Sequence, residues 1–561
     1  MEIMDLEQRS GFCKMLRRLG LEYLLLWICA SVTTYPLFRT GFSQGHDLIL
    51  EFTRIAEYSH LLQAGIFPVR WGADLEGGYG YPIYNFFPPL FMLITSIFVI
   101  AGSLTILSAI KSSIFLLTLA AGIGMYWFAR EHFGKKGGLL VACLYVLAPY
   151  HFIDVFNRNA FSEFTALSIA PFVFYGLARI AQEDELKLTT TMLMAVSSSL
   201  FVLSHNLSVA MYAPLFFVYF IAAAATTGLW GKIGRLSLPL ALCFALTSFY
   251  TLPLLSEIKF VQTWMLLIGS FNVLENLLSL GQVTGWITVL SWLLIITSTA
   301  ALTIWRKNIP RPTFAVLCAF EILLLLMIFM VTPASRFFWS HMEFLKWLQF
   351  PWRLMSPATF LICFAAGALA YIPLPNKRAK NALLYGGIML GIITLLAFSV
   401  VNRGAFTSIQ DQDLAPEKIR EGWLRTTALS EYLPIWVKEK PSAPVGHRLT
   451  PSRADVEVNK IEESPHRYAY KIATTGETLL TANLFYFPGW KVYVNGEEVK
   501  PNISEQGLMQ FYLPNGQFIV DLKFENTPVR VIGNGLSILG LLLLGMLIFL
   551  AISPTRRQHF P

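Results

Sequence analysis

An acid stands close behind the first apolar stretch of the chain, in Gly45-His46-Asp47, and Glu51-Phe52-Thr53-Arg54-Ile55 follows. A carboxylate fixed at a membrane–water boundary can take the proton of an acceptor hydroxyl. Asp is equally suited to cap the N-terminus of a helix that begins there. Both readings of Asp47 stand. A second group, Asp154-Val155-Phe156-Asn157-Arg158-Asn159-Ala160-Phe161-Ser162-Glu163, sets Arg158 between two acids in a short loop. That set suits a phosphate plus a hydroxyl, and equally an ordinary Arg158–Glu163 ion pair, weak when exposed.

Two further groups sit at the ends of apolar runs. Ser204-His205-Asn206 offers a His–Asn pair or a polar cap on a helix end. Gln349-Phe350-Pro351-Trp352-Arg353 offers a phosphate ligand or an interfacial anchor in Arg353. The run from Trp71 to Pro82 holds Asp74, Glu76, Tyr79 and Tyr81 among glycines. Aromatic faces beside carboxylates suit sugar rings, which present apolar CH faces and hydroxyls. An interfacial aromatic belt explains the aromatics as well, though not the two acids. Glu257 and Lys259 are too generic to read.

The elements that must position these residues are membrane helices. Of the 561 residues, 55% are hydrophobic and 14% charged, against about 25% charged in an average globular chain. Twelve apolar stretches read as spans: 19–38, 106–129, 138–152, 164–181, 190–205, 207–229, 235–253, 282–305, 313–331, 355–373, 382–401 and 529–552. A soluble enzyme, a nucleic-acid binder and a β-barrel are excluded. The net charge of +8 comes from Lys and Arg in short loops between spans, so it is no nucleic-acid signal. Lys14, Arg17 and Arg18 precede a stretch too long for a signal peptide and without a small-residue cleavage site, which makes it a retained first helix. Cys13, Cys29, Cys143, Cys243, Cys318 and Cys363 show neither metal spacing nor a disulfide framework.

Positive charge assigns the sides. One set of loops carries Arg130, Lys135, Lys136, Lys187, Lys232, Arg235, Arg306, Lys307, Arg311, Lys377, Arg378 and Lys380, with Arg556 and Arg557 in the tail. The alternate set is sparse. The basic set is expected in the cytoplasm, with both termini. Residues 88–103 are apolar enough to span, but crossing there would turn every later basic loop outward. They are expected to lie on the outer surface as an interfacial or re-entrant helix, with Lys111 near the outer mouth of 106–129. The polar segment 403–527 alternates with period two at Arg453–Lys460, Tyr468–Ala473 and Phe518–Phe524. Trp490–Val494, Asn495-Gly496 and Glu497–Lys500 read as a hairpin with a two-residue turn. The expected fold is thus a polytopic α-helical membrane protein with a small extracytoplasmic β-sandwich. Its parts are a transmembrane domain over 1–402 with outer loop 39–105, the sandwich over 403–527, and a final helix and cytoplasmic tail over 528–561.

The spans carry few ionisable residues, Glu321 being the main mid-span acid, and no Walker loop or inverted repeat is present. A pump or ion-coupled transporter would show more. Polar residues instead gather on one face, as an interfacial enzyme requires. A lipid or polysaccharide flippase and a non-catalytic envelope-assembly protein are the competing classes.

His46-Asp47, Pro82 and Pro88-Pro89 ahead of the interfacial helix, and Arg158 with Glu163 together resemble the GT-C glycosyltransferases. Gln349–Arg353, Glu431-Tyr432-Leu433-Pro434 and Tyr486-Phe487-Pro488-Gly489-Trp490 are similar to the YfhO-like membrane proteins and the set called 6-pyruvoyl-tetrahydropterin synthase-related. The soluble enzyme behind that last name needs a histidine metal site, which this sequence lacks. The resemblance covers about residues 20 to 550. It implies a polyprenyl-phosphate-sugar donor, membrane lipids as surroundings, and transfer to an acceptor outside a cytoplasmic membrane. It implies Asp47 as base, with Glu163 in reserve, and Lys111, Arg158 and Arg353 at the lipid phosphate, with His46 and His205 beside them. Asp74, Glu76, Tyr79 and Tyr81 would touch acceptor or sugar. The second loop holds no Asp-X-Asp pair, so a metal-independent reaction without cofactor is expected. Sugar, acceptor and protein partners are not legible.

Overall fold

A computed structural model of the chain describes residues 20–225, 228–279, 281–283, 287–402, 404–422 and 424–552. The basic N-terminal stub with Cys13, and the tail with Arg556 and Arg557, lie outside the described residues. Thirteen helices of eleven residues or more are described: α1 Leu21–Thr33, α2 Leu48–Gln63, α3 Leu90–Gly102, α4 Ile106–Val146, α5 Phe161–Gln182, α6 Leu188–Val202, α7 Asn206–Ala224, α8 Ser237–Glu257, α9 Val289–Ile304, α10 Arg311–Met330, α11 Met355–Ala365, α12 Lys377–Val401 and α13 Pro528–Ile552. Every expected span coincides with helix. Eight stretches are long and apolar enough to cross a membrane, while α1, α3, α6 and α9 are shorter apolar helices. The protein is a multi-pass membrane protein.

Two expected spans, 106–129 and 138–152, lie on either side of a break in α4. Within α4, Gly134 takes φ 66° and ψ −177°, a combination open only to glycine at low cost. The helix reverses there.

Residues 88–103 are tied at both ends. α3 has 13 residues, or about 20 Å at the helical rise, short of a hydrocarbon core of about 30 Å. The Leu90 N–H donates to the Leu203 carbonyl, 3.0 Å away at the end of α6. Just past α3, the Ile106 N–H donates to Asp411 Oδ1 at 3.0 Å.

A two-residue ladder pairs β1 (Phe42–Ser43) with β2 (Phe406–Thr407). Two antiparallel sheets follow. One takes the order β3 (Leu449–Pro451), β6 (Thr478–Phe485), β10 (Leu508–Leu513), β9 (Asn502–Ile503). The other runs β4 (Glu457–Ser464), β5 (Arg467–Thr474), β11 (Gly516–Phe524), β7 (Trp490–Val494), β8 (Glu497–Val499). The expected hairpin is present: Val494 pairs with Glu497, and Asn495 and Gly496 take φ 51° and 88°. Two positive φ values are what the tight hairpin turn demands of an Asn-Gly pair.

The sheets rest on the first outer loop. The Trp71 ring lies 5.6 Å from Trp490 and 5.5 Å from Phe524, and Tyr79 stacks on Phe485 at 5.2 Å. A fully buried ion pair joins α8 to α13: Arg530 donates to Glu257 Oε2 from Nε at 3.1 Å and from Nη2 at 2.8 Å. The same carboxylate accepts from Asn85 and Thr527, and Arg530 also donates to the Pro488 carbonyl. Outer loop, sheets and last helix therefore meet at one acid.

Candidate active site

Asp47 occupies the N-cap position of α2, yet its side chain makes no capping hydrogen bond. Its backbone is fixed from the other loop instead. The His46 N–H donates to the Asn157 carbonyl at 3.1 Å, the Asp47 N–H donates to the Arg158 carbonyl at 3.0 Å, and Ser43 Oγ donates to the Phe156 carbonyl at 2.5 Å. Gly45 permits this approach, since a Cβ there would lie 2.2 Å from Asn159 Oδ1. The second loop has its own irregularity. Residues Ile153–Arg158 wind as a π-helix, ended by Asn159 at φ 56°. Such wide turns recur at functional sites because they re-aim side chains.

What the two loops enclose is a cavity of about 340 Å³. Its lining includes Asp47, Glu51, Arg54, Arg158, Glu163, His205, Gln349, Arg353, Glu431 and Tyr432. Four acids and three arginines thus face one space. Five residues singled out by sequence, Asp47, Arg158, Glu163, His205 and Arg353, come together there.

Arg158 is saturated. It donates to Asp154 Oδ1 at 2.5 Å, to Glu163 Oε2 at 2.9 Å and to the Tyr150 hydroxyl at 3.3 Å, and its guanidinium lies 4.4 Å from the centre of the Trp352 ring. Glu163 is saturated in turn, because the Tyr150 hydroxyl donates to its Oε1 at 2.7 Å. A carboxylate held from both oxygens is a poor proton acceptor, so Glu163 is built to fix Arg158. Burial explains the arrangement, since a buried charge must be paired and hydrogen-bonded. Arg353 differs. Its Nη1 donates to Gln349 Oε1 at 2.6 Å and to the Leu348 carbonyl at 2.9 Å. Its Nε is buried, makes no hydrogen bond and stands 3.9 Å from Glu163 Oε2.

His205 is both cap and wall. Its Nδ1 accepts from the Ser208 N–H at 3.3 Å, as expected of a helix end, and it lines the cavity. Burial lowers its pKa to about 4, against the pull of Glu163, so the ring is neutral near pH 7.

Sequence reading passed over Glu51 and Arg54, which follow Asp47 by one and two turns of α2. They form an ion pair of 2.8 Å in which both side chains are buried. Burial pushes Glu51 up to about 7, opposed by Arg54 and reinforced by Asp47. The Asp47–Glu51 spacing of four, which aligns side chains on one helix face, was the available signal. Glu431 and Tyr432 were also missed as lining. They lie on a strap from the sheet-bearing segment, where Tyr432 stacks on Phe86 at 5.6 Å with planes 9° apart.

Other expected site residues lie elsewhere. The Lys111 Nζ donates to the Arg39 carbonyl at 2.7 Å, and Lys111 is absent from the cavity lining. The expected convergence of three cations is therefore limited to Arg158 and Arg353. His46 is exposed beside Asp47 and does not line the cavity. Asp74, Glu76, Tyr79 and Tyr81 join the outer loop to the C-terminal segment. Asp74 pairs with Arg420 at 3.2 Å, Glu76 pairs with Lys440, the Tyr79 hydroxyl donates to the Ala443 carbonyl, and the Tyr81 hydroxyl accepts from the Tyr432 N–H. Aromatic rings and carboxylates suit a protein interface as well as a sugar, and here the interface takes them. Among the described residues, no three of His, Cys, Asp and Glu are grouped to hold a metal ion.

No family model matches the chain. An uncharacterized protein of Lactococcus lactis subsp. cremoris (strain MG1363) is similar at 21% identity over 267 residues, 45% of this chain and 42% of the relative. The chain thus matches less than half the length of that curated relative. Among solved structures, the arabinofuranosyltransferase AftD from Mycobacteria aligns at 18% identity and a TM-score of 0.44, over 67% of this chain and 27% of its own. ArnT from Cupriavidus metallidurans, bound to undecaprenyl phosphate, aligns at 14% identity and a TM-score of 0.42, over 72% and 76% of the two chains. The Archaeoglobus fulgidus oligosaccharyltransferase tethered with an acceptor peptide aligns at 13% identity and a TM-score of 0.42, over 72% and 59%.

Proposed function

We propose that the chain is a GT-C-type membrane glycosyltransferase that moves a sugar from a polyprenyl-phosphate donor to an acceptor hydroxyl on the outer face of a cytoplasmic membrane. The observation that carries this reading is the uncapped Asp47 carboxylate opening on the same cavity as Arg353, whose Nε makes no hydrogen bond. In the reaction the acceptor oxygen forms a bond to the anomeric carbon and its proton passes to Asp47. The bond from that carbon to the phosphate oxygen breaks, and its electron pair leaves with the polyprenyl phosphate. Arg353 holds the phosphate, and Arg158, with Glu163 and Asp154 at its back, holds the wall against which Arg353 stands. A charge held in this way makes the phosphate a good leaving group, so the acceptor side is where a base is needed.

Undecaprenyl phosphate binding to the purified protein tests the assignment. A hydrogen bond to a charged group contributes about 1.5–3 kcal/mol, so Arg353→Gln is expected to weaken binding by about 10- to 100-fold. An unchanged affinity would remove Arg353 from the phosphate site.

Sidedness is tested by an impermeant thiol reagent on whole cells. Lys135 and Lys471 are both exposed. Lys135→Cys is expected to label only after the membrane is opened, and Lys471→Cys without opening. Equal labelling of both from outside would overturn the outer placement of the cavity.

A further inference from the structure

At the opposite end of the helices, where α4 reverses at Gly134, lies a second cavity of about 230 Å³. It is bounded by the second half of α4, the end of the α11 stretch and the start of α12. Its walls are apolar, with Leu140, Leu374 and Leu384 among them, and two cations line it, Lys136 and Lys380. Lys135, Lys377 and Arg378 are exposed beside it. Among the described residues none of these five cations is ion-paired. Lys136 donates to Asn381 Oδ1 at 2.5 Å, which uses one of the three donors of its ammonium.

We propose that this cavity binds the head group of an anionic phospholipid, with its phosphate on Lys136 and Lys380 and its glycerol and first acyl carbons along the leucines. Three observations lead there. Two ammonium groups border one apolar wall, both on exposed side chains able to turn onto a bound anion. Among the described residues no carboxylate pairs with them. The cavity lies between the ends of membrane helices, where the abundant anion is a lipid phosphate; basic pockets of this kind are known lipid head-group sites. A small soluble anion would satisfy the lysines but would leave the apolar wall uncovered. The bend at Gly134 gives the pocket its shape: it brings Lys135 and Lys136 to the membrane surface while Leu140, one turn further on, faces the same space as Lys136. The site is separate from the catalytic cavity, so the proposal does not depend on sugar transfer.

Native mass spectrometry of the full chain in detergent tests it, with phosphatidylglycerol and phosphatidylcholine of identical acyl chains as probes. Wild type is expected to retain phosphatidylglycerol about 30-fold better than phosphatidylcholine, given the attraction of about 1 kcal/mol per basic residue near an anionic lipid surface. The K136Q/K380Q double variant is expected to lose that preference, and K471Q, on the sheets, to keep it. Leu374→Trp keeps both lysines but fills the half-buried side of the cavity, and it too is expected to lose the lipid. If the double variant does not fold, Leu374→Trp alone decides. Equal retention of the two lipids by wild type would overturn the proposal, as would a preference that survives the substitutions. Displacement of the lipid by an equal concentration of glycerol 3-phosphate would overturn the lipid assignment in favour of a free phosphate site.

Discussion

Asp47→Asn is expected to lower sugar transfer by about 10²–10⁴-fold, the usual contribution of a general base, while folding and polyprenyl-phosphate binding stay near wild type. Asn has the shape of Asp and caps helices equally well, and the Asp47 side chain makes no capping bond to lose. What disappears is basicity alone. The backbone of residue 47 stays in place, because it is held by the Arg158 carbonyl through the N–H. Turnover of a labelled polyprenyl-phosphate sugar by purified protein measures the effect. Glu163→Gln belongs in the same assay. Since Glu163 is bonded to Arg158 and Tyr150, its loss is expected to disturb phosphate binding more than proton transfer, appearing in KM before kcat. A wild-type rate for Asp47→Asn, or a larger fall in kcat for Glu163→Gln, would move the base role away from Asp47.

The second large effect is on stability. Arg530→Met is expected to destabilise the protein by about 3–5 kcal/mol, the cost of leaving one partner of a buried ion pair uncompensated. Arg530 is fully buried, and Glu257 would keep only the hydrogen bonds from Asn85 and Thr527. The E257Q/R530M double variant is expected to recover a large part of the loss, because no charge is then stranded. Thermal unfolding in detergent reads both. A single variant as stable as wild type would show that the pair contributes little.

Much of the architecture was legible because membrane helices and alternating strands each print a period in the sequence. The Asn495-Gly496 turn announced its hairpin. The cavity was legible in part, through polar residues stranded at the ends of apolar runs: Asp47, Arg158, His205 and Arg353. Lys111 shared that signature but faces a carbonyl of its own neighbourhood. Composition could not separate a sugar platform from a protein interface, so the contacts of Asp74, Glu76, Tyr79 and Tyr81 with the C-terminal segment were not legible. Glu431 and Tyr432 reach the cavity from a segment more than 370 residues after Asp47, a closeness that local pattern does not encode. Arg530 was not singled out and Glu257 was too generic to read; only the fold makes them partners.

The separation of that pair along the chain has a consequence for how the protein is made. Glu257 and Arg530 lie 273 residues apart, so α8 enters the bilayer long before its counter-ion has been synthesised. At a ribosomal rate of about 5–20 residues per second, Glu257 waits on the order of 14–55 seconds. Until the last helix arrives, the Glu257 carboxylate lacks the guanidinium that holds it in the finished fold. Arrival of α13 also brings the sheets against the outer loop, through Pro488 and Asn85. The strap that bears Glu431 and Tyr432 lies between the two partners in the sequence, so every residue lining the cavity is made before Arg530, and the ion pair that ties the last helix down forms after that lining is complete.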